Sequence, residues 1–205
     1  DIGDAIDTNS AADTITVNGG SIYAPARGID GGGGPDTITI NDGSVSGSAG
    51  IVGNTGDDSI TINGGSVTAT STAIDGVSGD DTITINGGII SGAGRAVRGG
   101  GDNDTVILAG DSNITGLIQA DGTALEGTAD ILRFAMTVPA DDLAALQADL
   151  LAAVPAGGSI DINGYTYSWE NFETIEDDLT VEVVDTDGDG VGDAEDNCPS
   201  VPNSD

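Results

Sequence analysis

Carboxylates dominate the reactive side chains of this sequence. There are 35 Asp and Glu against four basic residues, all of them Arg, and no His. Two groups have a spacing that chemistry would need. Asp185, Asp187, Asp189, Asp193 and Asp196 occupy positions 1, 3, 5, 9 and 12 of a loop whose sixth residue is Gly190. That register wraps oxygens around Ca²⁺. Upstream, Asp36, Asp58, Asp81 and Asp104 recur at steps of 22, 23 and 23 residues, each closing a Gly-rich turn. Stacked about 4.8 Å apart, they would repel one another unless a cation sat between them or water solvated them, and the sequence leaves both open.

What is missing excludes much. Without Lys there is no Schiff base and no P-loop, and without His there are no imidazole triads. A net charge of -31 repels phosphate backbones and anionic membranes, so nucleic acid is excluded as a partner. No apolar run is long enough for membrane insertion, and Asp1 to Asp4 have neither the basic start nor the apolar stretch of a signal peptide. Arg95 or Arg98 near Asp75 and Asp102 could build a calcium-assisted polysaccharide lyase site. No constellation in a groove stands out, so the chain reads as a non-enzyme.

The elements that must position these carboxylates are repeats. Asp13-Thr14-Ile15-Thr16-Val17 returns at Asp36, Asp58, Asp81 and Asp104, at steps of 23, 22, 23 and 23 residues. Such a period marks a solenoid. Within each unit, Ile15 and Val17 share one face and Thr14 and Thr16 the other, which is a half-buried strand. A turn follows (Asn18-Gly19-Gly20 and its equivalents), then a second strand centred on Ile22, Val45, Val67 and Ile90. A third apolar position falls at Ile6, Ile29, Ile51, Ile74 and Val97. Three short strands per coil predict an all-β parallel β-helix, right-handed by the general preference of parallel crossovers, with an Asn ladder at the first corner. Only 3% of residues are aromatic, which suits a core of thin aliphatic layers.

The repeat decays after Leu108. Residues 109–129 read as an excursion, and Asp130 to Phe134 as one more rung. Pro139 to Val154 predicts a helix with Leu143, Leu146, Leu150, Leu151 and Val154 on its apolar stripe and Asp141 and Asp142 in its first turn. Asn163-Gly164 between Ser159–Ile162 and Tyr165–Tyr167 signals a hairpin. Four of the six aromatics lie at 165–172 and are expected to form the core of a cap. The organisation read from the sequence is therefore a β-helix over 1–134, a helix-and-hairpin cap over 135–180, and an acidic calcium stalk from 181 to 205. Asp4 to Ala12 supply only the last third of a coil, from which we expect self-assembly or further coils upstream. Cys198 is expected to find a disulfide partner outside this segment.

Several resemblances add to this reading. Gly31-Gly32-Gly33-Gly34-Pro35-Asp36, with variants at Gly53–Asp58, Gly76–Asp81 and Gly99–Asp104, resembles the nonapeptide of RTX proteins, which implies Ca²⁺ at Asp36, Asp58, Asp81 and Asp104. The resemblance is incomplete, because such a turn occurs once per coil. The stretch Asp185–Asp196 with Asn197-Cys198-Pro199 resembles a thrombospondin type 3 repeat, whose Asp-rich loops wind around calcium; an EF-hand would need flanking helices, and Pro199 and Pro202 oppose one. The outward pairs Thr14/Thr16, Thr37/Thr39, Ser59/Thr61 and Thr82/Thr84 resemble the Thr faces of ice-binding β-solenoids. As a whole the chain is similar to the passenger regions of bacterial adhesins. These likenesses imply a secreted, cell-surface module with structural or adhesive function, with Ca²⁺ as cofactor and other surface proteins, glycans or further copies of the chain as partners. Glycan binding, polysaccharide degradation and ice binding are the alternatives.

Overall fold

Apolar residues at every second position need one buried face, and identical units supply it by stacking. In the computed structural model, which describes residues 3–110, 112–120, 129–152 and 157–181, each unit is one coil of a parallel β-solenoid of about five turns. Strand Thr14–Tyr23 lies on Thr37–Gly47, followed in order by Ser59–Ile62, Thr82–Ile85, Thr105–Leu108, Ile131–Phe134 and Thr174–Asp177, all parallel. Like residues pair with like, so Ile38, Ile60, Ile83, Val106 and Leu132 form one column and Ile40, Ile62, Ile85, Leu108 and Phe134 the next, all 0% exposed. A second column set joins Ile22, Val45, Val67, Ile90 and Ile114, and a third joins Ile6, Ile29, Ile51, Ile74, Val97 and Ile118. Each fully buried Ile contributes about 1.5–3 kcal/mol.

The first corner carries the expected ladder. Asn41, Asn63 and Asn86 each donate Nδ2–H to the Oδ1 of the Asn one coil earlier, at 2.7 Å. Some strands run through corners where the sequence suggested breaks: Thr14–Tyr23 and Thr37–Gly47 span this first corner, and Gly88–Gly101 the second. The excursion is also shorter than expected. Ser112–Gln119 is a strand paired parallel with Gly88–Gly101, with register shifts on either side of Arg95, so 112–119 belong to a further coil that is shortened at its second corner. Ile114 and Ile118 carry its apolar pattern, hidden in the sequence because they stand four residues apart where the equivalent pairs of the earlier coils stand six or seven apart.

The helix spans Ala140–Ala152, with Asp141 and Asp142 in its first turn. Leu150 is buried and Leu143 and Leu146 pack partly against the core, but Leu151 is 89% exposed, so the stripe is narrower than its spacing implied. Val154 lies outside the described residues. The hairpin forms as read, with Gly157–Ile162 antiparallel to Tyr165–Glu170. Asn163 (φ 53°) and Gly164 (φ 82°) take the left-handed pair of a two-residue turn. Three of its four aromatics face inward: Tyr167, Trp169 and Phe172 are buried, and Phe134 meets Tyr167 and Trp169 edge-on at 6.1 and 5.6 Å between ring centres, whereas Tyr165, beside the turn, is 37% exposed and lies outside the core expected for it. Trp169 pairs with Ile118 in the third sheet and Ile175 with Leu132 in the first, so the cap extends the solenoid's own sheets.

Candidate functional site

The fold brings Asp36, Asp58, Asp81 and Asp104 into one column, as stacking requires, but turns them inward. They are only 1–2% exposed. A main-chain N–H meets one oxygen of each. The N–H of Asp13 donates to Asp36 Oδ1 at 2.7 Å, that of Asp36 to Asp58 at 2.8 Å, Asp58 to Asp81 at 2.8 Å, and Asp81 to Asp104 at 2.9 Å. The series continues through residues the sequence reading did not assign to it: Asp104 N–H donates to Asp130 Oδ1 at 2.6 Å, and Asp130 N–H to Glu173 Oε2 at 2.9 Å. Asp130 was legible from the apolar alternation that follows it. Glu173 was not, because its step of 43 residues crosses the cap.

A second, exposed column runs beside the first and points the other way along the solenoid. Asp57 Oδ1 accepts from Asp80 N–H, and Asp80 Oδ1 from Asn103 N–H, each at 2.9 Å. Adjacent residues of one turn therefore join their coil to both neighbours. The two environments separate the carboxyls chemically. At Asp80 the Asn103 N–H holds the carboxyl below its ordinary range. At Asp81 burial pushes it up to about 7, against the pull of the Asp58 N–H and with the charges of Asp58, Asp57 and Asp75 adding to the rise. Asp58 is raised to about 6 and Asp104 to about 8, again chiefly by burial. Asp36, at the start of the column, is raised for the same reason.

The second oxygen explains the glycines. Oδ2 of Asp36, Asp58, Asp81 and Asp104 is buried and makes no hydrogen bond. It packs against the Cα of the Gly five residues earlier, Gly31, Gly53, Gly76 or Gly99. A Cβ on Gly31 would stand 2.8 Å from Asp36 Oδ2 and 2.8 Å from the Gly53 carbonyl oxygen. Ionised, each Oδ2 is part of a buried anion with no donor to meet it; protonation removes the charge. The next position of each turn is left-handed: Gly32 (φ 90°), Asn54 (φ 79°), Val77 (φ 91°) and Gly100 (φ 136°). The Gly-Gly-x-Gly-x-Asp pattern thus has a stereochemical origin in this turn, apart from any ion. Among the described residues no three Asp, Glu, Cys or His side chains converge as a metal site would require. Asp185, Asp187, Asp189, Asp193 and Asp196, with Cys198, lie outside the described residues.

Three of the four Arg stand on the third sheet. Arg98 Nη1 reaches Asp75 Oδ1 and Oδ2 at 3.3 Å, and Arg27 pairs with the buried Asp30, which also accepts from Asn54. The Asp75 carboxyl is raised by burial, with Arg98 and then Arg95 opposing. The Arg98–Asp75 pair joins one coil to the next. On the first sheet, Thr14, Thr37, Ser59, Thr82 and Thr105 form one outward column; Thr16, Thr39, Thr61 and Thr84 form the other, which ends at Ile107, Arg133 and Glu176. Comparison with protein families, curated proteins and solved structures found no match.

Proposed function

We propose that this chain is a structural and adhesive module of the bacterial cell surface or extracellular matrix, a stacked rod continued by a calcium-ordered acidic stalk. The observation that carries the reading is the coil-to-coil linkage: hydrogen bonds run unbroken from Asp13 to Glu173, with an Asn ladder at another corner. Such repetition builds stiffness along an axis and offers a long surface in place of a single cleft. The stalk rests on the carboxylate spacing at 185–196. Eleven acidic and no basic residues between Glu176 and Asp205 would expand that segment unless cations neutralised it.

Limited proteolysis with and without chelator, read by mass spectrometry, tests the calcium half. Removing Ca²⁺ is expected to expose first the region 183–196, while the solenoid resists. Calorimetry should detect binding, and a hundredfold excess over the dissociation constant should stabilise the stalk by about 2.7 kcal/mol. Equal resistance in both conditions, with no heat of binding, would refute the calcium stalk. Protease treatment of intact producing cells tests the location: the module should be removed from the outside, and full protection would count against a surface role.

A further inference from the structure

Tyr23 is the one aromatic residue before Phe134. It is 71% exposed, whereas Tyr167, Trp169 and Phe172 are buried in the cap. The fold does not call for a ring there, since the column it heads continues through Ser46, Thr68, Ser91 and Thr115, all small hydroxyl residues. Beside the ring, Ser46, Gly47, Thr68, Ala69 and Thr70 complete a shallow groove of about 270 Å³ that crosses successive coils.

The lining selects a class of ligand. None of its side chains is charged. Tyr23 offers a flat aromatic face, Gly47 and Ala69 an apolar floor, and Ser46, Thr68 and Thr70 hydroxyls that both donate and accept. A sugar ring has the complementary character, with an apolar face of C–H bonds and a rim of hydroxyls. The open shape suits a chain passing across the groove better than a small molecule enclosed by it, because buried ligand pockets run to about 300–1,000 Å³. The coils advance about 4.8 Å each, close to the advance per sugar of an extended β-linked chain. The net charge of -31 works against acidic polysaccharides. We infer that the Tyr23 groove binds a neutral, extended polysaccharide, with the ring of Tyr23 stacked on one sugar and the hydroxyl column bonded to those that follow. This names a ligand class for the adhesive half of the function proposed above and rests on that half.

Native gel electrophoresis of the full chain through hydroxyethyl cellulose, galactomannan, dextran or polygalacturonate tests it. At least one β-linked neutral polymer should slow the protein, and polygalacturonate should not. Tyr23→Ala should weaken that binding about tenfold or more, and Tyr23→Phe, which keeps the ring, by less than about threefold. Tyr165→Ala, on the cap, should bind as the native protein does. Both Tyr23 variants should melt with the native protein, since an exposed side chain is being changed. The inference is overturned if no neutral polymer slows the protein, if only the acidic one does, if Tyr23→Ala binds normally, or if Tyr23→Phe loses as much as Tyr23→Ala. Loss of glycan binding with calcium protection of the tail intact removes the groove alone; the reverse pattern removes the calcium stalk alone.

Discussion

A methyl group on Gly76 would press on both Asp81 Oδ2 and the carbonyl oxygen of Gly99. Neither can retreat, because Asp81 is held by the Asp58 N–H and Gly99 belongs to the next strand. Gly76→Ala should therefore cost about 1–3 kcal/mol in denaturant unfolding, and Asp81→Ala added to it should restore part of the loss. Next to it, Val77 is a β-branched residue held at φ 91°, where its counterparts are Gly or Asn. Val77→Gly should raise stability by about 1 kcal/mol, and a lowered melting temperature would show that the side chain repays its strain. The Asp column gives a pH dependence of definite sign. An unfolded Asp titrates near 3.9, whereas Asp58, Asp81 and Asp104 titrate at about 6, 7 and 8 in the fold. Between these limits the native state holds more protons, so stability is greatest at acid pH and falls as pH rises through 6 to 8. Thermal melts at constant ionic strength should show the fall, and Asp104→Asn, which keeps the acceptor for Asp81 N–H but cannot ionise, should flatten it above neutrality. A native melting temperature that rises through this window would contradict the assignment.

Among the elements, the cap is where aromatic rings meet the aliphatic columns. Phe134 ends an aliphatic column of the solenoid and meets both Tyr167 and Trp169. Phe134→Ala should cost about 3–5 kcal/mol. Hydrogen exchange should place the damage first in Ile131–Phe134, Tyr165–Glu170 and Thr174–Asp177, while the pairing of Ser59–Ile62 with Thr82–Ile85 keeps its protection. Uniform loss throughout would mean that the coils unfold as one unit. The strands themselves were legible because apolar residues at Ile15, Val17 and their repeats leave one face to bury. The coil over 112–119 was less so, since Ile114 and Ile118 stand four residues apart where the equivalent pairs of the other coils stand six or seven apart, which breaks the period.

At the scale of the molecule, charge opposes stacking. With 35 acidic and 4 basic side chains, self-repulsion grows as screening weakens, and the Debye length lengthens from about 8 Å at physiological salt to about 30 Å at 0.01 M. Melting temperature should rise with NaCl over this range. If the acidic tail binds calcium specifically, Ca²⁺ should protect the region 183–196 from protease beyond Mg²⁺ at matched ionic strength. Equal protection by the two ions would assign the effect to screening alone.

The sequence by itself determined the period, the faces of the strands, the Asn ladder, the hairpin at Asn163-Gly164 and three of the four cap aromatics as core, Tyr165 being exposed. All of these follow from local spacing, which repeats with the chain. It also placed Asp36, Asp58, Asp81 and Asp104 in a column. Only the tertiary structure decided which way that column faces, because the direction depends on contacts between coils: an N–H from one neighbour, and a glycine five residues back that leaves room for the second oxygen. The same distinction explains Glu173, which takes the place of an Asp in the ladder although no repeat announces it. Tyr23 likewise has one reading as a letter in a strand, and acquires a groove only when Ser46 and Thr68 are stacked beside it.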